Sequence, residues 1–172
     1  MVKLGAVADI ISGITKGRKT SQPTREIPYL AVANVQAGSL KLDNVKTIEA
    51  TEAEIEKYRL QKGDIILTEG GDPDKLGRGT VWNDELPEAI HQNHIFRVRL
   101  HTGSGLTPEL VEGYLSDPRA RKHFLRSAKQ TTGIASINMS QLKNLSIFTP
   151  DKILLSHFQS YMSKNRGDGG KL

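Results

Sequence analysis

The chain contains no cysteine, and only 5% of its 172 residues are aromatic. The first absence excludes a disulfide framework, a zinc knuckle, an iron–sulfur cluster and a thiol nucleophile, and it fits a reducing cytoplasm. The second makes stacking of single-stranded bases on aromatic rings a poor mode of binding. Long apolar runs are missing as well. The longest stretch free of Asp, Glu, Lys and Arg is Ile27 to Leu40, 14 residues that include Pro28 and Gly38, whereas a membrane span needs about 20 mostly apolar ones. Met1 to Ile11 lack the apolar core and cleavage pattern of a signal peptide, so a soluble, cytoplasmic protein is expected. The length suits one domain with its own core and a short appendage.

Acid is absent from two segments, and there the charge collects. The chain carries 24 basic and 19 acidic residues, a balance of +5. Ile10 to Arg25 holds Lys16, Arg18, Lys19 and Arg25 and no acid, and Pro118 to Pro150 holds Arg119, Arg121, Lys122, Arg126, Lys129 and Lys143 and no acid. That leaves 14 basic against 19 acidic residues elsewhere, a balance of −5. A mildly acidic body therefore bears two basic segments.

The pattern of elements is mixed. Val7 to Gly13 is an apolar unit with a Gly stop, followed by a polar, basic loop over Thr15 to Glu26; Ile27 to Val35 reads as a buried strand ended by Ala37-Gly38. Thr51 and Glu54 have capping-box spacing, which predicts a helix to about Tyr58, broken by Lys62-Gly63-Asp64. Ile65 to Leu67 predicts a buried strand that empties into a Gly-rich loop, Thr68 to Gly79; Thr80 to Trp82 resumes strand. His94 to Leu100 alternates as a half-exposed strand should. Thr107-Pro108 and Asp117-Pro118 predict two consecutive helices. At 100° per residue the second gathers Arg119, Lys122, His123, Arg126 and Lys129 on about one third of its circumference. Ala120, Phe124, Leu125 and Ala128 lie opposite, with Arg121 alone among them. Gln130 to Asn138 reads as a polar loop, Ser140 as the cap of one more helical turn, and Leu145 to Thr149 as a last strand. After Pro150 an amphipathic helix is expected, with Leu154, Phe158, Tyr161 and Met162 on one face.

The common catalytic patterns fail. The Gly-rich loop matches neither a P-loop nor a dinucleotide fingerprint, and strand rather than helix follows it. No Lys has an Asp or Glu two residues before it, a spacing many metal-dependent nucleases use. Glu69, Asp72 and Asp74 read as turn residues and His91 and His94 as strand-edge residues, so neither metal nor cofactor is expected. No Gly-x-Ser-x-Gly and no Asn/Asp-Pro-Pro-aromatic motif occurs, which leaves hydrolase and adenine methyltransferase readings unsupported.

What remains is binding of a polyanion, with duplex DNA favoured. Lys and Arg neutralise phosphates, while Arg, Asn and Gln can pair with base edges. The candidates are Lys16, Arg18, Lys19 and Gln22 on the first loop, Lys75 and Arg78 on the Gly-rich loop, Arg119, Lys122 and Arg126 on the cationic helix, and Lys129, Gln130, Thr131 and Thr132 after it. The competing reading is a protein-docking module that assembles through Leu154, Phe158, Tyr161 and Met162, its basic surface being incidental.

Several runs sharpen this. They are Ile27-Pro28-Tyr29-Leu30, Ala33-Asn34-Val35-Gln36, Leu60 through Asp72, Leu76-Gly77-Arg78-Gly79, Gln92 to Val98, and Lys129 to Asn138. Over about residues 4 to 160 the chain resembles a target recognition domain from the specificity (S) subunit of type I restriction-modification enzymes. The resemblance implies an α+β domain with a curved, mixed or antiparallel sheet and flanking helices, followed by the start of a spacer helix. The boundaries it suggests are 1–150 for recognition, 151–166 for the start of that helix and 167–172 for a flexible tail. It implies a non-catalytic, sequence-specific duplex-DNA reader that directs adenine methylation by a methyltransferase (M) subunit and cleavage by a restriction (R) subunit. Full S subunits carry two recognition domains and long helices that set the spacing of the half-sites. One domain is expected here, either a fragment or a half-subunit that pairs with a second copy.

Overall fold

The computed structural model describes residues 1–71, 76–127, 129–131, 134–149, 154, 156, 157, 160 and 161, with the backbone alone at 127, 129–131, 134 and 135. The elements run β1 (Val2–Lys3), a helical turn α1 (Leu4–Val7), β2 (Ala8–Ser12), β3 (Arg25–Leu30), β4 (Val35–Gln36), β5 (Ser39–Leu40), β6 (Lys46–Ala50) and α2 (Glu52–Tyr58). They continue with β7 (Ile65–Thr68), β8 (Gly70–Gly71), β9 (Gly79–Val81), β10 (Ile90–His91), β11 (Ile95–Leu100), α3 (Pro108–Ser116), α4 (Pro118–Ser127), β12 (Lys129–Thr131), β13 (Ile134–Ser136), α5 (Met139–Lys143) and β14 (Ser146–Ile147). The class is α+β, as expected.

The strands are shared among small sheets. An antiparallel sheet in the order β2-β11-β7-β9 forms the centre. Beside it β3 pairs in parallel with β10 and antiparallel with β6. A third sheet has the order β12-β13-β8. One face of the central sheet packs Ile65, Leu67, Phe96 and Val98 against Val111 and Leu115 of α3, Ala120 and Phe124 of α4 and Leu142 of α5. The other buries Ile66, Ile95 and Trp82 with Leu30, Val35 and Leu60.

Burial on both faces explains a difference at β11. The alternation of His94 to Leu100 predicts a half-exposed strand, yet Ile95 is fully buried and Arg97 is 6% exposed. Arg97 is tolerated because Nη1 donates to the carbonyls of Lys57 and Arg59 at the end of α2, at 3.1 and 3.0 Å. Its neighbour Arg99 grips the buried Asp64 with two bonds of 2.7 Å. His91 is also enclosed; its Nδ1 donates to Tyr58 O at 3.1 Å, and burial pushes its pKa down to about 4, so it is neutral at pH 7. Gly13 is required where β2 crosses β10, since a Cβ there would lie 1.9 Å from His91 O.

Three local expectations are corrected. The strand from Ile27 stops at Leu30, and a 3-10 turn follows over Val32–Asn34. There the buried Asn34 side chain accepts from Ala31 N at 2.8 Å and donates to Lys41 O and Asn44 O at 2.9 and 3.2 Å, replacing strand hydrogen bonds with its own. Residues 130–138 are not a simple loop, because β12 and β13 form a hairpin that adds to β8. The cap of α5 is Asn138 rather than Ser140: Asn138 Oδ1 accepts from Gln141 N at 2.9 Å, and Gln141 Oε1 accepts from Asn138 N at 2.8 Å. The expected box at α2 forms, with Glu54 N donating to Thr51 Oγ1 at 3.2 Å and Thr51 N to Glu54 Oε2 at 2.9 Å.

Candidate nucleic-acid interface

The first basic segment leaves β2 at Ile14, whose N donates to His91 O at 2.8 Å, and returns as β3. Its arginines are occupied. Arg18 donates through Nη2 to Glu54 Oε2 at 2.6 Å and to Glu49 O at 2.7 Å, and through Nε to Glu54 Oε1. Glu54 thus serves the α2 cap and the loop together. The Arg18 hydrogen bond is the main cause that lowers its pKa to about 2. Arg25 reaches Glu52 at 2.6 Å and forks onto Glu88 at 2.8 and 2.9 Å, and Arg59 joins Glu88 at 3.0 Å. Lys16 and Lys19 are exposed and take part in none of the described ion pairs. Gln22 is exposed too, on a shallow hollow of about 510 Å³ with Lys19 and Thr24.

The second segment is arranged differently. Thr107 Oγ1 accepts from Leu110 N at 3.3 Å ahead of Pro108, and Asp117 Oδ1 accepts from Arg119 N at 2.7 Å ahead of α4, so both Pro-started helices form where the sequence puts them. Ala120 and Phe124 are buried in the core, while Arg119, Lys122 and Arg126 are exposed. Arg119 pairs with Asp117 in its own turn, at 3.1 and 3.3 Å. Arg121, Lys122 and Arg126 appear in none of the described ion pairs. Lys129 does not extend the helical stripe, because α4 ends at Ser127 and Lys129 opens β12.

That strand brings separate candidates together. β12 pairs with β13, and β13 sets Ala135 opposite Gly71 and Ser136 opposite Gly70. Ile137 N donates to Glu69 O at 2.9 Å, continuing the contact. The Gly-rich loop and the Lys129–Thr131 strand, about 60 residues apart in sequence, therefore belong to one small sheet directly after the cationic helix. At its border the His94 ring donates from Nδ1 to Glu69 Oε2 at 2.7 Å. The first loop is not part of this sheet. Lys75, Thr132, Phe158 and Met162 lie outside the described residues, as do the side chains of Lys129, Gln130 and Thr131. Leu154 and Tyr161 are helical and exposed.

Arg78 stands in the firmest setting. Its carbonyl accepts from Thr68 N at 2.9 Å and Thr68 Oγ1 at 3.1 Å, and Gly79 O accepts from Gly38 N at 2.9 Å. A Cβ on Gly79 would lie 2.2 Å from Ile66 O, so only glycine lets β9 pass there. Arg78 Nη1 donates to Gln36 Oε1 at 3.3 Å, and Gln36 Nε2 donates to Ala33 O at 3.0 Å. These two residues and Arg121 line a cleft of about 440 Å³ with Leu76, Leu115 and Ser116. Gln36 and Arg121 were not among the sequence candidates. The trace of Arg121 was its place as the one cation on the apolar side of α4. Among the described residues no three His, Asp or Glu side chains converge as a metal site, and no helix is long and apolar enough to cross a membrane.

Comparison with known proteins completes the picture. A family model described as the type I restriction modification DNA specificity domain matches residues 1–154. The type I restriction enzyme EcoKI specificity subunit of Escherichia coli strain K12 is 26% identical over 127 residues, 72% of this chain and 26% of that protein. The HsdS subunit from Thermoanaerobacter tengcongensis superposes with a TM-score of 0.62 at 16% identity, over 96% of this chain and 37% of that one. The type IIG restriction endonuclease BpuSI superposes with a TM-score of 0.63 at 12% identity, over 95% of this chain and 26% of that one. At such identities the superpositions show a shared fold. The chain spans about a quarter of the EcoKI subunit's length and little more than a third of the HsdS chain.

Proposed function

Since this chain belongs to the family of type I restriction modification DNA specificity domains, we propose that it is a non-catalytic recognition domain that reads a few base pairs of duplex DNA. Sequence-specific recognition by this domain directs adenine methylation and cleavage carried out by methyltransferase and restriction subunits. The observation that carries the reading is the union, in one small sheet, of the Gly-rich loop and the Lys129–Thr131 strand, following α4 with its exposed Lys122 and Arg126, which take part in no described ion pair. Unpaired cations on a helix suit phosphates, and loops with little side-chain bulk beside them suit base edges. Lys16, Lys19 and Gln22 are secondary candidates, and Arg18 serves chiefly as a loop anchor. Duplex DNA titrated at several salt concentrations tests the proposal: affinity falls linearly on a log–log plot if cations displace counterions, and an affinity indifferent to salt overturns it.

The exposure of two large apolar side chains, Leu154 and Tyr161, supports a second role for this segment, in docking a partner subunit or a second copy. Light scattering with and without residues 151–172 separates the two. Assembly that disappears with those residues, together with no affinity for DNA, favours docking as the main function.

A further inference from the structure

We infer that Arg78, oriented by Gln36, reads the major-groove edge of one guanine, while Arg121 across the same cleft holds a neighbouring phosphate. The inference rests on the duplex-DNA reading above and deepens it. A guanidinium offers two edges for bidentate contact, one through Nε and one through the two terminal nitrogens. In Arg78 the Nε is buried with no hydrogen-bond partner, which closes the first edge to a ligand. Gln36 takes one proton of Nη1, so three protons on the two terminal nitrogens remain, and an end-on pair of bonds to guanine O6 and N7 needs one from each nitrogen.

Position matters as much as donors. A base edge must be met in one place and direction, whereas a phosphate is satisfied by a mobile charge on a long stem. The backbone at Arg78 is clamped by two donors from Thr68, by the Gly38–Gly79 hydrogen bond and by the tight passage of Gly79 over Ile66 O. Gln36 is clamped in turn through Ala33 O. Among the described residues no carboxylate pairs with Arg78 or Arg121, and the cleft carries two cations of different character. Arg78 is half-buried and aimed; Arg121 is exposed on α4 next to Lys122.

The test uses the full chain and duplexes selected from a random pool. In the selected site, each guanine is replaced singly by 7-deazaguanine, which removes N7 alone. One position is expected to cost the wild type about tenfold or more in affinity, the size of a lost bidentate contact. Arg78→Ala and Gln36→Ala are expected to lose that penalty, each variant binding the 7-deazaguanine duplex as tightly as it binds the unsubstituted one. Arg78→Lys, which keeps the charge if the alanine variant folds poorly, should lose most of it. Arg121→Ala should weaken all duplexes alike and lower the salt slope by about one. The inference is overturned if the selected sites carry no guanine, if no position is sensitive to 7-deazaguanine, or if Arg78→Ala pays the same penalty as the wild type. In those cases salt-dependent duplex binding survives and the broader reading stands; absence of any duplex binding overturns both.

Discussion

The two acid-free segments look alike in sequence and differ in space. Between Ile10 and Arg25, both arginines meet carboxylates from elsewhere in the chain, Arg18 with Glu54 and Arg25 with Glu52 and Glu88. Along α4, only Arg119 has a described carboxylate partner, and that partner is Asp117 in its own first turn. The arginines of the first segment hold a loop against α2 and β6. Lys122 and Arg126 of the second appear in no described ion pair. A run of basic residues is therefore a statement about local composition, and only the fold decides how much of it a polyanion can use.

The largest expected effect breaks this contrast if it is mistaken. Replacing Arg119, Lys122 and Arg126 together by Ala should weaken binding to all duplexes similarly, roughly a hundredfold at low salt, with the salt slope shallower by about 2. Most of the loss should persist when Arg119 is left in place, because Asp117 already engages it. Filter binding or anisotropy across salt concentrations reads both numbers. Arg18→Ala should do the opposite, costing about 1–2 kcal/mol of stability in chemical denaturation and leaving DNA affinity near wild type, since its side chain is 22% exposed and bonded to Glu54. If Arg18→Ala instead weakens binding as the helix triple does, with stability unmoved, the two segments are equivalent and the contrast is wrong.

Why this contrast was hidden from the sequence is a matter of range. Features fixed within a few residues were legible: the Thr51–Glu54 box, the two Pro-started helices and the sidedness of α4 all formed as expected. Arg18 and Glu54 are 36 residues apart, and nothing local links them. The β12–β13 hairpin was missed for a related reason. Its partner strand is Gly70–Gly71, which has no side chains to alternate, so no periodicity announces it. Burial of Arg97 was missed because alternation reports one buried face, and β11 is covered on both. At the candidate site, the stripe on α4 was visible as composition. The cleft was not, because Gln36, Arg78 and Arg121 are brought together by three separate elements.

Acid titration sharpens the first half of the contrast with a smaller effect. The folded-state pKa of Glu54 lies at about 2, below its ordinary 4.5, because Arg18 and the α2 cap favour the carboxylate. A depressed carboxylate pKa contributes stability that is complete above the unfolded value and is lost as pH falls towards the folded one. The stability difference between wild type and Glu54→Gln should thus be full at pH 6, roughly 1–2 kcal/mol after allowance for solvent screening, and should shrink between about pH 4.5 and 2. Gln can still close the capping box, so the change isolates the ion pair. Denaturant titrations at stepped pH check it, and a difference that is constant across that range would remove Arg18 as the anchor.

The smallest expected effect is at Arg25. It is exposed, and its partners Glu52 and Glu88 are 73% and 29% exposed, the setting in which ion pairs contribute least. Arg25→Ala leaves Glu88 its second partner, Arg59, and so should leave the melting temperature close to wild type. It should also leave the salt slope of DNA binding unchanged, although one formal positive charge is gone. A cation already answered by two carboxylates neutralises no phosphate and so releases none of the cations condensed on the DNA, and removing it removes little from the slope. A slope lower by about one would mean that DNA displaces Glu52 and Glu88 from Arg25. The ion-paired segment would then be a reserve of charge opened on binding, and its difference from α4 would be one of degree.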